Sequence, residues 1–355
     1  MLLFFLIFFV TNIFFSLILY SFLMRLNSNS GIDVNQFLLH SLGIGPVFTT
    51  LIIYYSFLLM PNHSNIFYLI VVGIVYLIIA ILGEKDYSSL LSVLYARIGK
   101  LFAFQGGTLN KIEHFLFLSI VIIPISIYLW VYVTKILPQP LIGHDISHYG
   151  VVGDIFYMAK SLAPAWDMSV AQYGYAHGSS HAPGFSLLLT WERMVNSLFH
   201  VDSDFYFKSI STYYGLLIIG AQFHLVAIQN KWLAVISSIA LISGLGFYIK
   251  LFSPHIDTFR IFFTVASFFY LAYAVKNPDT LSLILFGMFS GFTAYAHRIG
   301  IVTVAINVLI FFIMQNSNFK MRILRVSVVV LFVLVMGGNH YIFDLLWGRG
   351  DWINP

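Results

Sequence analysis

The sequence predicts an all-α integral membrane protein with about ten transmembrane helices and one long non-cytoplasmic loop containing amphipathic or re-entrant helices. Of its 355 residues, 59% are hydrophobic and only 9% are charged. A soluble domain is usually about a quarter charged, so lipid must be the main solvent of this chain. Apolar runs also follow one another with only short polar breaks, which leaves no segment for a separate soluble domain.

The predicted spans follow from the length of the apolar runs, because roughly 20 residues are needed to cross about 30 Å of hydrocarbon. The run at 1–24 lacks the basic start and the small-residue cleavage site of a signal peptide, which predicts a retained span. Four spans fall within 1–137 and six within 208–355, on either side of the loop 138–207. The predicted spans are 2–24, 37–60, 65–83, 113–137, 208–228, 232–250, 257–275, 280–296, 299–315 and 323–346.

The positions of lysine and arginine predict the orientation. If ten spans alternate, the breaks that hold Arg25, Lys231, Lys276 and Lys320 all lie on one side, which the positive-inside rule assigns to the cytoplasm. The loop 138–207 then lies on the opposite face of a plasma membrane, expected to be bacterial. The net charge of +4 is accounted for by these scattered topology signals, so the bilayer is the expected partner and nucleic acid is not.

Two arginines break this charge pattern. Arg260 and Arg298 fall at the predicted outer ends of their spans, and most of the 12 histidines lie on the same face. Ionisable groups at such positions often mark function. The chain has no cysteine, which excludes disulfides, thiolate nucleophiles and cysteine-based zinc sites.

The segment 143–194 is the richest in chemistry. Asp145 follows Pro138 and Pro140, which end the preceding helix, so its carboxylate is expected at the membrane surface, where partial desolvation raises basicity. This suits a general base, although a solvated or helix-capping carboxylate is the alternative. Residues 146–162 form an amphipathic pattern, and the apolar run 185–191 is too short to cross, which predicts a re-entrant or interfacial helix.

In order and spacing, this region resembles the GT-C superfamily of membrane glycosyltransferases, particularly the branch with protein O-mannosyltransferases and aminoarabinose transferases. The resemblance covers roughly residues 138–315. It rests on an acid just outside a span, a following tyrosine, a His-Pro-Pro-like turn into a leucine-rich helix, a polar-headed span and a glycine-rich helix ending in a basic residue. The matching residues are Asp145, Tyr149, His181-Ala182-Pro183, Leu187, Leu188, Leu189, Asp257 and His297-Arg298-Ile299-Gly300.

The resemblance implies transfer of a sugar from a polyprenyl-phosphate donor to a hydroxyl of a glycan, lipid or protein, with inversion. Asp145 would remove the acceptor proton, and Arg298 and Arg260 would bind the donor phosphate. For both arginines, snorkelling to lipid headgroups is the alternative. The remaining expected substrate-binding residues are His181, Tyr149, His148, His297, Asp257 and Asp154. Ala182 replaces the first proline of the turn, and the length is compatible with a short variant or a fragment.

A divalent metal ion is the one cofactor that the sequence indicates. His144 and His148 stand four residues apart, as do His177 and His181. This spacing places two imidazoles on one helical face, where they can bind a metal. Glycines around the second pair argue against a helix there, so hydrogen bonding to substrate or to the protein is the alternative.

Two other functions compete with the transferase. A transporter or flippase of lipid-linked sugars should carry polar groups at mid-membrane, and the sequence shows few beyond Gln222 and His224. A polysaccharide polymerase or ligase would also work at an external loop, and the sequence does not distinguish it from a monosaccharide transferase.

Overall fold

In the computed structural model, helices are the only regular elements among the residues that it describes. These residues are 6–25, 34–83, 126, 130, 133–134, 149–162, 182–227, 229–244, 246–247, 250 and 255–346. We number the helices α1 (Leu6–Arg25), α2 (Val34–Leu42), α3 (Ile44–Leu59), α4 (Asn65–Gly83), α5 (Val151–Ala159), α6 (Gly184–Phe199), α7 (Phe205–Ala227), α8 (Lys231–Ser243), α9 (Ile256–Lys276), α10 (Thr280–Ala296), α11 (Ile299–Met314), α12 (Phe319–Val333) and α13 (Asn339–Leu346). A π-helical turn, Leu334–Gly338, joins α12 to α13.

Within the described ranges, five helices are long and apolar enough to cross a membrane, and a sixth span results if the bent pair α2 and α3 is counted as one. The five are α1, α4, α7, α9 and the combined stretch Phe319–Phe343. Helices α8, α10 and α11 are apolar but have only 13, 17 and 16 residues. The predicted all-helical, multi-pass membrane class is therefore confirmed. Most of the predicted span 113–137 lies outside the described residues, and α8 ends at Ser243 within the predicted span 232–250.

Helix α10 lies at the centre of one half of the bundle, in contact with α9, α11 and α12, and is buried along almost its whole length. Gly287 and Gly291 allow α12 to approach closely. A Cβ at these positions would lie 2.7 Å from the Val329 carbonyl oxygen and 2.9 Å from that of Val333. Such small residues at every fourth position are typical of tightly packed membrane helices, where lipid leaves close van der Waals contact as a main attraction.

The axes of α2 and α3 are bent by 41° at a break that we call the α2–α3 break, residues 42–46. Pro46 has no amide hydrogen to donate to the carbonyl of Leu42, which an unbroken helix would pair with it. The Leu42 carbonyl instead accepts from the Ser16 hydroxyl at 2.7 Å and the Tyr213 hydroxyl at 2.6 Å. Helices α1 and α7 thus satisfy the backbone group that proline leaves open.

A network of neutral polar groups extends from this break through the interior of the bundle. The single hydrogen of the Tyr213 hydroxyl is shared between the Leu42 carbonyl and the Asn12 carbonyl, which lies 2.8 Å away. The Tyr206 hydroxyl donates to the Asn12 side chain at 3.1 Å. The Trp191 indole donates to the Thr11 hydroxyl at 3.0 Å. The sequence-based expectation of few polar groups inside the bundle is therefore wrong, because short hydroxyl and amide side chains are hidden within strongly apolar runs.

Candidate functional site

The site is built on α5 and α6, which lie side by side and parallel. The Tyr149 ring, just before α5, contacts the Phe185 ring at 5.6 Å, and the Thr190 hydroxyl donates to the Gly153 carbonyl at 2.9 Å. Further along, Arg193 pairs with Asp154. Because these contacts advance together along both helices, Tyr149 and Phe185 lie at the same end of the pair.

The N-terminal end of α6 packs between the start of α9 and the end of α10. The Phe185 ring lies 5.8 Å from that of Phe259 in α9, next to Arg260. A Cβ at Gly184 would lie 2.7 Å from the carbonyl oxygen of Tyr295, two residues before His297. Only glycine leaves room for this approach, so the turn that contains Ala182 and Pro183 is held against both helix ends. Helix α6 itself is buried from Gly184 to Asn196, except for Arg193.

A group of charged side chains, the α9 charge cluster, surrounds Asp257 at the start of α9. Its members are Lys250, His255, Asp257 and Arg260. One carboxylate oxygen of Asp257 accepts from Arg260 at 2.7 Å, and the other pairs with Lys250 and lies 3.4 Å from the His255 ring. The side chain of Asp257 is only 12% exposed, whereas that of Arg260 is 29% exposed. With His255 neutral, two cations face one anion, so the cluster carries a net positive charge.

The backbone of His255 is fixed to α7. Its amide donates to the Ser211 hydroxyl at 2.8 Å, and that hydroxyl donates to the His255 carbonyl, also at 2.8 Å. The imidazole Nδ1 accepts the amide hydrogen of Asp257 at 3.3 Å, which caps α9. Asp257 and Arg260 were predicted from the sequence as site residues, but their partners Lys250 and His255 were not. The close spacing of Lys250, His255, Asp257 and Arg260 in the sequence is the signal that was missed.

Arg298 differs from Arg260 in having an exposed side chain. It is the residue before α11, and it forms no ion pair with any described carboxylate. His297 is half-buried, and its Nδ1 accepts the amide hydrogen of Ile299 at 3.1 Å, so the ring caps α11. A guanidinium without a carboxylate partner at a helix end is suited to binding an anion.

Asp154, the other acid considered for substrate binding, is engaged by Arg193. The Arg193 Nε donates to Asp154 at 2.9 Å, and Nη2 lies 2.9 Å from Asp204 in the turn before α7. Nη1 also approaches Asp202 and the Ser203 carbonyl, each at 3.4 Å. This geometry favours a structural role for Asp154 over contact with substrate.

Glu192, next to Arg193, is a buried acid that the sequence analysis did not single out. Its two carboxylate oxygens accept the backbone amide hydrogens of Tyr206 at 2.6 Å and Phe207 at 3.1 Å, which caps the start of α7. Burial raises the pKa of the Glu192 carboxyl to about 8, and the two amide donors partly oppose this shift. Its partners are 14 and 15 residues away, beyond the reach of a helical spacing pattern.

The remaining candidates lie outside the described residues. They are His144, Asp145, His148, His177 and His181. Tyr149, which follows this segment, is described and buried. Within the described part of the chain, no three histidine, aspartate or glutamate side chains are grouped as a metal site requires. The metal prediction rests on four of the histidines named here and stays a prediction.

We compared the chain with the models of known protein families, with curated proteins and with solved structures, and none of them matches it.

Proposed function

We propose that this protein is a ten-span membrane glycosyltransferase that moves a sugar from a polyprenyl-phosphate donor to a hydroxyl acceptor on the non-cytoplasmic face. The acceptor is a glycan, a lipid or a protein. One observation carries the proposal: the N-terminal end of α6 packs against Phe259 and Tyr295, beside the two helix ends that bear Arg260 and Arg298. Tyr149, four residues after Asp145 in the sequence, lies at the same end of the α5 and α6 pair.

The proposed chemistry needs one base and at least one cation. The acceptor oxygen attacks the anomeric carbon from the side opposite the phosphate, and the bond between that carbon and the phosphate oxygen breaks with inversion. Asp145 takes the acceptor proton, and the lipid phosphate leaves with the bonding electron pair. A phosphate is a good leaving group, so no second carboxyl has to protonate it, unlike the leaving oxygen of a glycosidase.

Arg298 and Arg260 are assigned different parts in binding the donor phosphate. Arg298 is exposed and has no described carboxylate partner, so its forked N–H donors are available to phosphate oxygens. Asp257 lies 2.7 Å from the Arg260 guanidinium and orients it. The negative charge of this carboxylate also offsets part of the attraction of Arg260 for a phosphate. Lys250 adds a second positive charge beside the same carboxylate. Positive groups fixed in advance stabilise the charge that develops on the departing phosphate.

A transporter or flippase of lipid-linked sugars is the second candidate, and the α2–α3 break favours it. Broken helices and polar groups inside the bundle are typical of transport proteins. Here, however, the described hydroxyls of Ser16, Tyr213 and Tyr214 are used by the backbone carbonyls of residues 42–43. A polymerase or ligase with a diphosphate-linked donor is a third candidate, which the donor panel below separates from the first.

The test is incubation of detergent-purified protein with a panel of polyprenyl-phosphate and polyprenyl-diphosphate sugars, each with candidate acceptors, while release of the free lipid phosphate is measured. The proposal expects release from a monophosphate donor, abolished in Asp145→Asn and retained in the matched control Asp202→Asn. Arg298→Ala should weaken donor binding about tenfold or more, whereas Lys320→Ala, at the predicted cytoplasmic end, should not. Wild-type turnover by folded Asp145→Asn would contradict the assignment of the base.

The same preparation in proteoliposomes distinguishes the transporter. Movement of a labelled lipid-linked sugar between leaflets, without release of lipid phosphate from any donor, would replace the transferase by the second candidate. Release from diphosphate donors alone would favour the polymerase or ligase.

A further inference from the structure

Arg193 is the residue through which three segments of the site region meet. Its guanidinium contacts Asp154 of α5, Asp204 in the turn before α7, and more distantly Asp202 in the same turn. Arg193 itself belongs to α6, and its side chain is 21% exposed. One planar, forked side chain therefore connects α6 to α5 and to the start of α7.

Helix α5 depends on such contacts for its position. It has only nine residues, and a helix of that length is marginal by itself in water. Its apolar side packs on α6, where Gly153 lies so close that a Cβ would be 2.5 Å from the Ser186 carbonyl oxygen. A slide of one helical turn would move α5 by about 5.4 Å. Such a slide would break both the pairing of Asp154 with Arg193 and the hydrogen bond from Thr190 to Gly153.

The ion pairs of Arg193 are expected to contribute more to geometry than to stability. Asp154 is 44% exposed and Asp202 is fully exposed, and solvent strongly screens the attraction in such pairs. A guanidinium, however, accepts partners only in the directions of its planar N–H groups. Its contact with two segments therefore restricts how α5 and the turn before α7 lie against α6.

We infer that Arg193 is a positioning residue: it fixes the register of α5 on α6 and thereby the position of Tyr149 relative to Ala182. This inference rests on the proposed function, because Asp145 stands four residues before Tyr149 in the sequence and His181 directly precedes Ala182. The described partners of Arg193 are structural groups of α5 and of the turn before α7. Its effect reaches the reaction through the distance between the base and the bound donor, to which transfer rates are steeply sensitive.

The kinetic test compares Arg193→Met with Arg322→Met. Arg322 is also half-buried and its Nε donates to the Ser317 carbonyl at 2.9 Å, so the control removes a similar guanidinium far from the site. We expect Arg193→Met to lower kcat by about 100-fold while the donor KM changes by less than about twofold. Arg322→Met should alter neither constant. Wild-type kcat in folded Arg193→Met would overturn the inference.

A second pair of variants keeps the test decisive if Arg193→Met does not fold. Asp154→Asn should lower kcat about tenfold, whereas Asp202→Asn, which removes the longer and fully exposed contact, should leave it unchanged. Asp154→Glu should restore most of the activity. A raised donor KM at normal kcat in Asp154→Asn would instead make Asp154 a substrate-binding residue and overturn the inference.

The register can also be measured without activity. Because the chain has no cysteine, spin labels at Met158→Cys in α5 and Leu198→Cys in α6 report a single distance, and both positions are exposed. Removing Arg193 should broaden the distribution of that distance, and Arg322→Met should not. An unchanged, narrow distribution in Arg193→Met would overturn the inference. If wild-type protein releases no lipid phosphate while the broadening occurs, the proposed function fails and the register claim stands.

Discussion

The α9 charge cluster and the α2–α3 break both hold polar groups in an otherwise apolar bundle, but with different chemistry. In the cluster, Lys250, Arg260 and Asp257 are ionised groups at the end of a span, partly exposed to solvent. At the break, the donors are neutral hydroxyls such as those of Ser16 and Tyr213, and the acceptors are backbone carbonyls. Burying an unpaired charge costs far more free energy than burying a hydrogen-bonded hydroxyl. Ionised groups are therefore expected at the ends of the helices, which we call the rim of the bundle.

The comparison bears on function. The hydroxyls at the break donate hydrogen bonds to specific backbone carbonyls and so stabilise the helix that Pro46 interrupts. The cluster and Arg298 instead place positive charge on partly or fully exposed side chains at helix ends that lie beside the start of α6. The rim therefore has the chemistry for binding an anion, whereas the described interior has the chemistry for holding helices together.

Gly184→Val should destabilise the protein most, by about 3 kcal/mol, because its Cβ would press on the Tyr295 carbonyl and ring. The measurement is chemical denaturation in detergent, together with donor turnover. Gly73→Ala is the matched control, since a Cβ there meets nothing within 4 Å. Wild-type stability in Gly184→Val would show that α6 does not depend on its contact with α10.

The stability of the wild-type protein should depend on the ionisation of Glu192. Its pKa is about 8 in the folded protein, and an unfolded glutamate titrates near pH 4.3, so the folded state binds the extra proton between these values. Stability should therefore fall as pH rises through this window, by about 2 kcal/mol between about pH 5.5 and about pH 7. Denaturation curves of the wild type and Glu192→Gln measure it. The variant should lack this slope, and equal slopes would contradict the assignment to Glu192.

Tyr213→Phe should cost about 1 to 2 kcal/mol, because the carbonyls of Leu42 and Asn12 lose a buried donor at 2.6 and 2.8 Å. The loss should be the same at low and high salt, since no ionised group takes part. Denaturation at two ionic strengths provides the measurement. A strong salt dependence would mean that the division between a charged rim and a neutral interior is wrong.

Arg298→Ala should have the smallest effect on stability, within about 0.5 kcal/mol, because the side chain is exposed and pairs with no described acid. Its expected consequence is weaker donor binding, as described above. A loss of stability comparable to that of Tyr213→Phe would assign Arg298 to the fold and remove it from the site.

The bounds of a span were predicted most accurately where hydrophobicity alone decides them. The span 65–83 matches α4 at both ends, because an uninterrupted apolar run is flanked there by polar residues. The α2–α3 break was missed although Gly43 and Pro46 signal it, since the surrounding residues are apolar enough for one continuous span. Arg260 was proposed from its position at a predicted span end and Asp257 from the resemblance, and the two side chains lie 2.7 Å apart in the structure.

Arg193 and Glu192 were not identified, and the reason is physical. Arg193 takes Asp154 as a partner across 39 residues, and Glu192 binds backbone groups of α7 that any residue type would offer. Neither contact leaves a spacing pattern along the chain. Both depend on how α6 lies between α5 and α7, which is a property of packing rather than of any single segment.

The polar contacts of α1 also have a consequence for biosynthesis. Thr11 and Asn12 belong to the first helix, but their partners Trp191, Tyr206 and Tyr213 follow 180 to 201 residues later. At about 5–20 residues per second, synthesis of the intervening chain takes on the order of 10 to 40 seconds. During that interval, the amide of Asn12 faces lipid, the insertion machinery or water without its final partners. Docking of α1 must therefore be completed late, after α7 has been made.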